Sequence, residues 1–105
     1  MKKLTLSVQD RIYIQLLIPS IGGRIKMLLA TKLFEAIQFT LDEITQYGIR
    51  DLSDGSTIWD RSEDIAISLS VEQVDLLKEG VDKADKENRI YREMIPLVLK
   101  IDDLK

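Results

Sequence analysis

The chain has 105 residues, 45% of them hydrophobic and 31% charged, enough to bury one core beneath a soluble surface but too few for two cores. It contains no cysteine and no histidine, which excludes disulfides, thiolate nucleophiles and Cys/His zinc sites and removes the commonest general base. The net charge of −3 is unevenly divided: residues 1–39 hold six basic and two acidic side chains, the remainder nine and sixteen, so a front half of +4 precedes a rear half of −7.

The longest apolar run, Ile12 to Ile18, stops at Pro19 and is too short to cross a bilayer. Asp10 and Arg11 interrupt what would be the apolar region of a signal peptide after Met1-Lys-Lys, and no small-residue cleavage site follows. The expectation is one cytoplasmic domain, residues 1–105, with no membrane association.

Taken in order, Lys2 to Leu6 alternates polar and apolar residues, the period of a half-buried strand. Ser7 then caps a helix, with Asp10 three residues on to reach back to the cap; Val8, Ile12 and Leu16 are expected on its buried stripe, beside Tyr13 and Leu17, until Pro19 ends it. Pro19 to Gly23 reads as a helix–helix turn. A longer helix follows from about Arg24 to Gln38, its core face expected to carry Ile25, Leu28, Leu29, Leu33, Ala36 and Ile37, with Met27 and Phe34 at the margin. Thr40-Leu-Asp-Glu43 is a second capping box, and Gly48 supplies a left-handed stop to that short helix.

Residues 50–56 are polar, with Asp54-Gly55 as turn chemistry; an open loop is preferred to a hairpin joining Asp51-Leu52 to Thr57-Ile58. Thr57–Asp60 and Ile65–Leu69 read as two strands joined by a four-residue connection, Arg61 to Asp64, and the first strand is a candidate partner for Ile65–Leu69. The stretch Ile67-Ser-Leu-Ser-Val-Glu-Gln73 repeats the grammar of Leu4-Thr-Leu-Ser-Val-Gln-Asp10, so Ser70 caps a further helix from Val71 to about Glu87 with Val74, Leu77, Val81 and Ala84 inward. On its outer face Glu79 with Lys83 and Asp82 with Lys86 are spaced for ion pairs, and Gly80 suits a close helix contact. After the break at Asn88-Arg89, a last helix spans roughly Tyr91 to Asp103 with Met94, Ile95, Val98, Leu99 and Ile101 inward, Pro96 requiring a first-turn position. The predicted fold is α+β: a small, mainly antiparallel sheet, made of the N-terminal strand plus a hairpin, packed on about five helices, with a winged-helix-like order in the first two thirds.

Chemistry is thinly signalled. Gly22-Gly23-Arg24 with Lys26 stands at a helix start, where free N–H groups attract anions, but lacks the strand and the flanking residues of a phosphate loop and reads as an ordinary turn. Asp51, Asp54, Asp60, Glu63 and Asp64 offer oxygen ligands, yet aligning Gly55 with the glycine of an EF-hand puts Arg50, Leu52 and Arg61 where ligands belong, so no metal is expected. The adjacent acids Asp42-Glu43 and Asp102-Asp103 fit solvated helix faces rather than an acid–base pair. Neither catalytic residues nor a cofactor is predicted.

Two kinds of binding remain. Trp59, with Tyr13 and Tyr91, is a candidate interaction anchor, set against the packing of Trp59 between sheet and helix, which aromatic residues favour. In a winged helix, residues 40–47 would be the recognition helix and 57–69 the wing, with Arg24, Lys26, Lys32, Thr45 and Gln46 as DNA contacts. The acidic character of 41–47 and of the wing opposes that second reading.

The segments Leu4–Ile12, Leu16–Gly22, Phe39–Glu43 and Ile58–Asp60 resemble small uncharacterised proteins of phages and integrated prophages. That resemblance implies an origin in a virus or mobile element and brings no assigned activity or catalytic residues with it. The functional expectation is a non-catalytic protein–protein interaction or homo-oligomeric assembly module, with a winged-helix DNA-binding regulator as the alternative.

Overall fold

The computed structural model describes residues 2–104. The element order is β1 (Lys2–Leu6), α1 (Val8–Ile14), α2 (Arg24–Ile37), α3 (Leu41–Tyr47), β2 (Arg50–Asp51), β3 (Thr57–Ile58), β4 (Ile65–Leu69), α4 (Val71–Lys86), a 3₁₀ turn (Arg92–Met94) and α5 (Ile95–Asp102). This is the α+β class, with five α-helices among the described residues.

Side-chain caps explain where helices begin. Ser7, Thr40 and Ser70 each accept a hydrogen bond from the backbone N–H three residues on, while Asp10, Glu43 and Gln73 each accept one from the cap's own N–H. Two otherwise unpaired donors are thereby satisfied at each helix start. Gly48 closes α3 in the left-handed conformation, and Asn88 does the same after α4. There the N–H groups of Asn88 and Arg89 donate to the carbonyls of Asp85 and Ala84, the paired bonds of a Schellman stop.

The strands pair differently from the expected hairpin. β1 and β4 form one antiparallel sheet in the register Lys2↔Leu69 to Leu6↔Ile65, as anticipated for the first strand. Thr57–Ile58, however, turns back onto Arg50–Asp51, so 50–58 is a hairpin rather than an open loop, and the hairpin expected over 57–69 does not form. Local chemistry accounts for this. Asp54 accepts from both the backbone N–H and the hydroxyl of Ser56, the N–H of Gly55 donates to the carbonyl of Leu52, and the hydroxyl of Thr57 donates to Asp51 across the strands.

Leu4, Leu6, Ile67 and Leu69 share one face of the β1–β4 sheet and enter a core completed by Ile14, Leu33, Ile37, Leu77, Met94, Leu97 and Ile101. α4 packs against both α2 and α5, which places it between them. Its expected inward residues Val74, Leu77, Val81 and Ala84 are all buried, with Leu76 added.

Three helix faces are rotated from expectation. α1 ends at Ile14, before Leu16, and buries Val8, Asp10, Arg11 and Ile14 instead of a Val8–Ile12–Leu16 stripe. α2 buries Ala30, Leu33 and Ile37 and leaves Ile25, Leu28 and Ala36 outside. α5, with Pro96 in its first turn, buries Leu97, Val98 and Ile101 and exposes Ile95 and Leu99.

Buried charge ties the helices together. Arg11, 1% exposed, donates to the carbonyls of Ile37 and Gln38 at the end of α2 and reaches both carboxylate oxygens of Glu43, at 2.7 and 3.0 Å. Its guanidinium also lies 4.0 Å from the centre of the Phe39 ring. One side chain thus takes up carbonyls left free where α2 stops and clamps the capping acid of α3. Asp10, also buried, accepts from Lys100 of α5 at 2.6 Å.

Candidate interaction surface

A backbone contact sets the position of the segment joining α1 to α2. The carbonyl oxygen of Leu17 lies 2.1 Å from where a Cβ on Gly80 would sit, so only glycine lets the chain come this close to α4. Leu17 is buried by that contact, whereas Leu16 and Ile21 on either side of it face outward. A cleft of about 300 Å³ results between residues 16–21 and α4, with Leu76 and Gly80 in its lining and Lys26, Lys83, Arg89 and Glu79 bringing charge to it. A second, of about 260 Å³, lies on the α2 side of the same segment and is lined by Ile18, Met27, Ala30 and Phe34.

Beyond the clefts, Ile21, Ile25 and Leu28 are 83%, 76% and 59% exposed. Ile25 and Leu28, three residues apart, lie on one stripe along the outer side of α2, opposite Ala30, Leu33 and Ile37, and Ile21 stands just before the helix, in the segment that leads into it. Arg24, Lys32 and Glu35 fall on the same side, and none of the three takes part in an ion pair among the described residues. Lys26 lies about 200° around the helix from Arg24 by helical geometry. It faces α4, where its ammonium meets Glu79 at 2.7 Å, so Glu79 is paired with Lys26 rather than with Lys83.

The structure brings together some of the residues singled out by sequence. Tyr13 and Tyr91 meet with ring centroids 6.1 Å apart, Tyr13 half-buried and Tyr91 exposed. Trp59 follows β3 and is half-buried, making no aromatic contact with that pair among the described residues. Thr45 and Gln46 are exposed on α3, a helix with no basic side chain, and Lys26 does not share the surface of Arg24 and Lys32. The wing that would have accompanied them is absent because β3 and β4 belong to different sheets.

Four acids of the hairpin region, Asp51, Asp54, Asp60 and Glu63, are occupied locally. Arg50 hydrogen-bonds both oxygens of Asp60 and holds its carboxyl below the usual range, and the Ser56 hydroxyl and N–H do the same for Asp54. Glu63 is paired with Arg61. No group of three or more acidic side chains among the described residues is arranged to hold a metal ion, and no helix among them is long and apolar enough to cross a membrane.

The outward stripe of α2 is what sequence reasoning missed. The sequence pattern puts Ile25 and Leu28 in the core and Ile21 in a turn, and the available signal is a surplus: α2 has apolar residues around most of its circumference, more than one buried face can use. Compared with protein-family models, with curated proteins and with solved structures, the chain matches none.

Proposed function

We propose that this chain is a non-catalytic interaction module of the cytoplasm, binding another protein surface through the outer side of α2 and the segment that leads into it. The observation that carries the reading is the exposure of Ile25 and Leu28 on the outer side of α2, and of Ile21 just before it, in a chain whose other leucines and isoleucines largely fill a core. Single exposed apolar residues are ordinary; two on one helix face, with a third just before that helix and two clefts beside them, mark a surface made to be covered. Arg24 and Lys32 bring charge that is in no ion pair among the described residues, as at the rim of an interface. DNA binding draws less support, since Lys26 is committed to Glu79 and α3 presents acids where phosphates would approach.

Photo-crosslinking tests the reading. A photoreactive amino acid at Leu28, in the chain expressed in its own cells, is expected to yield discrete higher-mass adducts that the same group at exposed Asp82 of α4 does not. Indistinguishable labelling from the two positions would overturn it.

A further inference from the structure

α5 carries a second unpartnered stripe. Ile95 and Leu99, 44% and 60% exposed, lie on its outer side with Asp102 and close to Asp103, opposite the buried Leu97, Val98 and Ile101. Neither aspartate takes part in an ion pair among the described residues. The outer side of α2 is therefore apolar with two cations and one anion, Glu35, that of α5 apolar with two anions, none of them in an ion pair among the described residues, and α4 stands between the two helices. Their spacings match as well: Lys32 follows Ile25 by seven positions, and Asp102 follows Ile95 by seven. Laid parallel, two such helices would put Ile25 beside Ile95, Leu28 beside Leu99 and Lys32 beside Asp102.

We propose that copies of this chain assemble head to tail, the outer side of α2 in one copy seated on the outer side of α5 in the next; the proposal rests on the interaction-module reading and names its partner. Charge selects this pairing over the symmetric ones. With Glu35 beside Arg24 and Lys32 the outer side of α2 carries a net +1 and that of α5, with Asp102 and Asp103, −2, so α2 on α5 meets opposite charge, whereas an α5–α5 contact would bring four aspartates together and an α2–α2 contact two net-positive sides. The basic front half and acidic rear half of the chain favour the same encounter at longer range. Because two different surfaces of each copy are used, the contact does not close on itself as a twofold dimer does, and it propagates into a ring or an open chain.

Sedimentation velocity over a range of concentrations tests this with two variants, Leu28→Asp and Leu99→Lys, each altering an exposed residue and each checked for an unchanged melting temperature. The unaltered chain is expected to gain mass with concentration, and each variant alone to remain monomeric. Mixed in equal amounts, the two variants are expected to form a species of twice the chain's mass that grows no further, because each supplies the intact surface the other lacks. Lys32→Asp is expected to weaken assembly at least tenfold, and adding Asp102→Lys in the same chain to recover most of that loss. An unaltered chain that stays monomeric would overturn the proposal, as would either Leu variant forming dimers alone. A monomeric chain that still gives Leu28 adducts with a different protein would sink only self-assembly and leave the interaction module standing.

Discussion

Arg11 is the residue on which the first half of the chain converges. Removing a guanidinium from water is costly, and here the cost is offset by two backbone carbonyls, a carboxylate fork and an aromatic face. The Arg11 hydrogen bond holds the Glu43 carboxyl at about 2 against an ordinary 4.5, overcoming the opposite effect of burial, with the Thr40 N–H assisting. A depressed folded-state value means that the pair stabilises fully above pH 4.5 and loses its contribution as pH falls from there to about 2. Glu43→Gln, which does not titrate, is therefore expected to melt lower than the unaltered chain at neutral pH, by about 1 to 2 kcal/mol in stability for a charge-assisted bond. The gap should close by about pH 2; melting curves that stay equally far apart from pH 7 to 2 would contradict this. None of this was legible beforehand. Arg11 sits beside apolar residues in sequence, but its partners lie 26 to 32 positions away, and no local period reports a contact of that range.

Among the elements, starts and stops were legible because their chemistry lies within a few residues. The boxes at Ser7, Thr40 and Ser70 and the stop at Gly48 stand where the sequence placed them. Strand pairing was legible only where a strand is long enough to show its period: five residues sufficed for β1 and β4, whereas two-residue β2 and β3 show none. Helix faces failed for a different reason. With Ile25, Leu28, Leu29 and Leu33 spread around α2, and Leu97 two residues from Leu99 in α5, composition permits more than one buried face and tertiary packing chooses. Gly80 lies between the two cases, since sequence suggested a close contact without naming the partner. Gly80→Ala gains up to about 1 kcal/mol of helix propensity, but the added methyl meets the Leu17 backbone, which cannot swing aside as a side chain would. Overpacking of that kind costs about 1 to 3 kcal/mol. The expected result is a lower urea midpoint, and a raised one would show that residues 15–21 move freely from α4.

For the molecule as a whole, the same amino acid has opposite weight on the two sides of one helix. Leu97 is fully buried and Leu99 mostly exposed, so Leu97→Ala is expected to cost about 3 kcal/mol. Leu99→Ala should stay within about 0.5 kcal/mol in chemical denaturation. Equal losses would place α5 in a different rotation and remove the second stripe. The pairing of β1 with β4 has a consequence in time. Lys2 finds its partner only at Leu69, so the intervening helices are synthesised while the leucines of β1 have no strand beside them. Folding must close a long loop before the sheet returns any free energy, which makes sheet closure a late and slow step. Until then Leu4 and Leu6 stand uncovered on the nascent chain, and the lysines at Lys2 and Lys3 give that unpaired strand the charge that discourages wrong partners.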